Sequence, residues 1–73
     1  MPRRGAVVLI KFTGWSTFSQ RPGGDVFVDA ESVAALEGTT NGRGIDWTEV
    51  HLKSGKVIHV YEDVVTVKTR LKL

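Results

Sequence analysis

The chain has 73 residues and a net charge of +2, with hydrophobic residues at 41% and charged residues at 25%. That length holds one small domain, and the balance of apolar to charged residues is that of a folded chain rather than a disordered one. The absence of cysteine excludes disulfides and every cysteine-ligated zinc or iron–sulfur site, fits a reducing compartment, and leaves oligomerisation as the staple open to a domain this small.

The charge is laid out in blocks. Arg3, Arg4, Lys11 and Arg21 precede any acid. Asp25, Asp29, Glu31, Glu37, Asp46 and Glu49 then face only Arg43, and the tail carries Lys68, Arg70 and Lys72 with no acid. Both ends are basic and the middle is acidic, so a fold that joined the ends would build a local positive field. The longest apolar run, Ala6 to Ile10, is far short of the ~20 residues of a membrane-spanning helix. It is also too short for a secretory signal core and lacks a cleavage site. The expected location is the cytoplasm, with no membrane partner.

The dominant period is two. Residues Ala6 to Thr13 are rich in β-branched side chains and predict a strand, apolar on both faces over Val7 to Ile10, as in a covered strand. Gly14, Pro22, Gly23 and Gly24 then predict a loop over 14–24, carrying Trp15, Phe18 and Arg21. Val26 to Val28 is a short second strand. Asp29 is placed to cap one helical turn over Asp29–Ser32. Val33 to Glu37 is too short for a free-standing helix and predicts a strand. The glycines of residues 38–44 predict a flexible connection.

Trp47 to Lys53 and Lys56 to Tyr61 predict a hairpin about Ser54-Gly55. A three-residue loop with Gly55 in a left-handed bulge pairs Val50 with Ile58 and Thr48 with Val60. That register gathers Thr48, Val50, Leu52, Ile58 and Val60 on one face, whereas a one-residue slip would mix apolar with polar. The opposite face then holds Trp47 beside Tyr61, Glu49 beside His59 and His51 beside Val57. After a break at Glu62-Asp63, Val65, Val67, Thr69, Leu71 and Leu73 alternate with Thr66, Lys68, Arg70 and Lys72. This predicts a last strand, against a competing helical stripe through Val64, Val67 and Leu71. The sum is a mainly β chain of five or six short strands with one helical turn near residues 29–36, consistent with a small closed β-barrel.

The segment from Gly24 to Glu62 resembles the FlbD-like flagellar and swarming-motility family and the small Sm-like barrels encoded by some bacteria and phages. The residues are Val26-Phe-Val-Asp29, Val33 with Leu36 and Glu37, and Thr48-x-Val50-x-Leu52-x-x-Gly55-Lys56-x-Ile58-x-Val60-x-Glu62. The long 14–24 loop and the alternating tail depart from the FlbD-like pattern and favour the Sm-like layout, with the last strand beside the first. That layout implies a shared cationic region of Arg3, Arg4, Lys11, Lys68, Arg70 and Lys72. It also implies a homo-oligomer joined through sheet edges.

For an anionic ligand, RNA or a small nucleotide, the candidate phosphate contacts are Arg21, Arg43, Lys68 and Arg70. The candidate stacking residues are Trp15, Trp47 and Tyr61, with His59 beside them. His51, His59 and Glu49 lie on one face, and the histidines, diagonal neighbours ~7–8 Å apart at the backbone, could chelate at that range, yet no metal-site spacing appears. No metal or other cofactor is therefore expected. No nucleophile motif or phosphate loop is present, so an enzyme is not expected either. The leading expectation is a binding module or ligand sponge, and the alternative is an adaptor of the FlbD-like kind or an inhibitor of a host protein.

Overall fold

The computed structural model describes residues 8–73. Arg3 and Arg4, and the first two residues of the predicted opening strand, lie outside that range. The chain is mainly β. Strands β1 (Leu9–Ser16), β2 (Arg21–Asp29), β3 (Val33–Thr40), β4 (Asp46–Leu52) and β5 (Val57–Val60) form one antiparallel sheet in the order β2-β1-β5-β4-β3. A 3-10 turn, Ala30–Ser32, joins the two outer strands, and a helix α1 (Val64–Leu71) follows β5.

This connection rolls the sheet. Four residue steps from Asp29 to Val33 span at most about 14 Å, whereas the outer strands of a flat five-stranded sheet would stand about 19 Å apart. The turn is fixed by Asp29, as expected: its carboxylate accepts from the Glu31 N–H and the Ser32 hydroxyl, both at 3.1 Å. The barrel-like interior holds Phe12, Val28, Val50, Val60, Val67 and Leu71, ringed by half-buried Ile10, Val26, Val33, Leu36, Leu52 and Ile58.

The β4–β5 hairpin has the expected register, with Thr48 opposite Val60, Glu49 opposite His59, Val50 opposite Ile58 and His51 opposite Val57. Gly55 sits at φ +97°, the left-handed region its bulge requires. Strand β3 runs on to Thr40, further than the predicted end at Glu37.

Two expectations fail. The predicted 14–24 loop is instead the outer part of a long β1–β2 hairpin that turns over residues 17–20. Its apparent breakers are all used within the ladder. A bulge between Thr13 and Trp15 shifts the register. At Gly14 a side chain would stand 2.7 Å from the Gly23 carbonyl oxygen. Pro22 lies on an outer strand, where its missing N–H costs no ladder bond on the open side.

The predicted last strand is helix α1. Asp63 caps it by accepting from the Thr66 N–H at 2.8 Å, and the competing stripe decides its face: Val67 and Leu71 are buried in the core. Gly38 on β3 lets the helix approach, because a Cβ there would lie 3.1 Å from Val64. The rolled sheet leaves an interior that needs apolar filling, and Val67 and Leu71 supply it from a helix. The alternation of residues 65–73 satisfies both periods, and packing selects the longer one.

Candidate functional site

The β1–β2 turn and the connection between β3 and β4 meet at one end of the molecule. Asn41 organises the connection. Its side-chain oxygen accepts from the Arg43 N–H at 2.7 Å and the Ile45 N–H at 3.4 Å, while Gly42 and Gly44 adopt φ of +79° and +86°. The Asn41 amide also donates to the Gln20 side-chain oxygen at 3.2 Å. That bond ties the two segments and brings Arg21 and Arg43 to the same end. Both are exposed, and among the described residues neither makes an ion pair. Phe18, at the turn between β1 and β2, is 98% exposed.

Beneath this end lies an aromatic stack. Trp15 sits between Trp47 and Tyr61, with ring centroids 5.4 and 5.6 Å away and planes tilted by 23° in both pairs. Offset stacking at this spacing is favourable beyond the area it buries. The face expected to carry Trp47 and Tyr61 therefore finds its cover in Trp15, from the β1–β2 hairpin that stands where the sequence predicts a loop. Trp15 and Trp47 are only 6% and 7% exposed, whereas Tyr61 is 45% exposed. Among the described residues neither buried indole N–H has a hydrogen-bond partner. The stack is a second small core, and only Tyr61 offers a substantial surface.

The basic residues of the tail are elsewhere. Arg70 folds back across β1, donating to the Lys11 carbonyl at 3.2 Å and standing 3.5 Å from a Glu62 carboxylate oxygen. Its guanidinium also lies 5.6 Å from the centre of the Phe12 ring, within reach of a cation–π contact. Lys68 is exposed on the last turn of α1. Of the expected cationic region, Arg70 meets β1 at Lys11, while Arg3 and Arg4 lie outside the described residues.

The neighbouring cleft has the opposite sign. A volume of about 450 Å³ opens between the β3–β4 connection and the start of α1, lined by Gly44, Ile45, Asp46, Tyr61, Glu62, Asp63 and Thr66. Hydrogen bonds from the Thr66 backbone and side chain hold the Asp63 carboxyl below its ordinary 3.8. With Asp46 and Glu62 beside it, the cleft repels a phosphate.

His59 lies on the outward sheet face, 3.6 Å from Glu49. The eight candidate residues thus divide among the end (Arg21, Arg43), the stack (Trp15, Trp47, Tyr61), the helix (Lys68, Arg70) and the outer sheet (His59). Phe18, Gln20 and Asn41 complete the end. Their grouping depends on a contact between segments 21 residues apart, which no local pattern reveals. No protein-family model, curated protein or solved structure matches the chain.

Proposed function

We propose that the chain is a non-enzymatic adaptor that binds another protein through the end bearing Phe18, Arg21 and Arg43. The carrying observation is Phe18, a large apolar side chain almost wholly in water at the same end as Arg21 and Arg43, which make no ion pair among the described residues. Aromatic and arginine side chains are the residues that dominate protein interfaces. The complementary surface would be an apolar pocket rimmed by carboxylates. The likeness to the FlbD-like family belongs to the same reading: a C-terminal helix removes one of the two departures from that pattern, and with it the premise for a shared phosphate site. The reading sets the protein in the cytoplasm.

A second reading is favoured by the same end. Phe18 with the guanidinium groups of Arg21 and Arg43 suits one stacked base and two phosphates of a single-stranded RNA. Salt separates the two. RNA held by two phosphates would lose affinity with a log–log slope of about −1.4, and an apolar anchor would not.

The test places a photo-crosslinking phenylalanine analogue at position 18 in the living source cell. The adaptor reading expects one dominant protein product, lost in the Arg21→Glu/Arg43→Glu double variant. A nuclease-sensitive product, together with salt-dependent binding of labelled oligouridylate in vitro, would replace it with the RNA reading. A product of twice the chain mass would assign the end to self-association, in line with the ring-forming habit of Sm-like barrels.

A further inference from the structure

We propose a second site, independent of that end: a zinc-class divalent cation site on the outward face of β3, β4 and β5, formed by Glu37, Glu49 and His51. The register builds it. Glu37 stands directly opposite Glu49, and Glu49 directly opposite His59, so that one row crosses three strands. His51 follows Glu49 by two residues on β4 and therefore points to the same face.

Two of the site's three edges have the spacing of ligands around one ion. His51 Nε2 lies 3.4 Å from Glu37 Oε1 and 3.5 Å from Glu49 Oε1, and the three ligand atoms all fall within 4.8 Å of one another. Donors at zinc-bond lengths of about 2.0–2.2 Å around a tetrahedral ion stand roughly 3.3–3.6 Å apart. Charge-assisted hydrogen bonds are shorter, at about 2.7–2.9 Å. The two contacts of His51 match the first range.

The charge pattern agrees. Like charges directly opposite in an antiparallel pair repel, and the Glu37–Glu49 pair has no lysine or arginine within ion-pair distance among the described residues. A divalent ion between the two carboxylates removes that repulsion. An imidazole nitrogen in the donor set selects zinc-like ions over magnesium, which prefers oxygen. His59, 3.6 Å from the other oxygen of Glu49, orients that carboxylate and is a positioning residue. All four side chains spring from strands, so the site is held by the sheet rather than by a loop. Its place on the surface leaves the remaining coordination position to water.

The experiment titrates the untagged full chain with zinc by isothermal calorimetry at pH 7.5, with magnesium as control and cobalt as a spectroscopic substitute. The expected result is one zinc per chain, no magnesium heat, and intense visible cobalt bands of a four-coordinate centre. His51→Ala and Glu49→Gln should each weaken zinc at least tenfold while keeping the native circular dichroism. Glu37→Gln, at the most exposed ligand, provides a third variant with little risk to folding. Absence of saturable zinc binding, or equal affinity in the wild type and these variants, would overturn the proposal.

Discussion

The Thr13 N–H donates to both carboxylate oxygens of Glu62, at 3.0 and 3.1 Å. Strands β1 and β5 pair only at Gly14 and Val60, with one further bond from the Tyr61 N–H to the Thr13 carbonyl at 2.7 Å. Beyond that point the Glu62 side chain stands in for the missing strand, and Arg70 clamps it from the helix. Glu62→Ala would leave the half-buried Thr13 N–H without its acceptor and should cost about 1–3 kcal/mol. Arg70→Gln should cost about 1–2 kcal/mol by losing the ion pair and the carbonyl bond. Urea unfolding measures both. Arg70→Gln should leave crosslinking at position 18 unchanged, because Arg70 serves the fold.

Asp63 ties the stability of helix α1 to pH. Its carboxyl, held below 3.8 by Thr66, contributes fully above that ordinary value. The contribution is lost as pH falls through the lower value it has in the folded chain. Asp63→Asn keeps a capping oxygen but not the charge. Thermal melts from pH 6 to pH 2 should show a shallower acid decline in this variant than in the wild type.

Gly38 and Val64 set how closely α1 approaches the sheet. Gly38→Ala adds a methyl 3.1 Å from Val64 Cγ1 and 3.3 Å from its Cβ, and should destabilise by about 1–3 kcal/mol. Val64→Ala made in the same chain removes the obstructing methyls. The double variant should be more stable than the sum of the two single changes predicts, a coupling that a urea-denaturation cycle reads directly.

The Trp15–Trp47–Tyr61 stack makes a prediction about chemistry as well as size. The Trp47 indole N–H is buried without a partner among the described residues, so Trp47→Phe gives up no hydrogen bond there and should be far milder than Trp47→Ala. The alanine variant opens a cavity and should cost about 3–5 kcal/mol. Near-ultraviolet circular dichroism should lose the signature of the coupled indoles in both variants.

The β4–β5 hairpin is fully legible in the sequence because its turn residue and its apolar alternation point to one register. The Asp29 cap is legible for the same reason: the interaction is local. The tail is not, since residues 65–73 carry both periods and the choice rests on an interior that the tail must fill. The β1–β2 hairpin is hidden by Gly14, Pro22, Gly23 and Gly24, which mark turns in most sequences but here allow a bulge, a close crossing and an outer edge. Of the proposed ion site, His51, His59 and Glu49 can be gathered from the hairpin register. Glu37 joins only once β3 is set beside β4.

Helix α1 behaves as a stopper in a mould. It delivers Val67 and Leu71 into the interior, and their burial, with the Arg70 contacts to Glu62 and the Lys11 carbonyl, holds it against the strands. A chain cut short before Asp63 would retain the cast of the sheet around a greasy trough floored by Phe12, Val28, Val50 and Val60. Such a trough finds its filling in other molecules of the same kind, so clumping rather than simple unfolding is the hazard of losing those last residues.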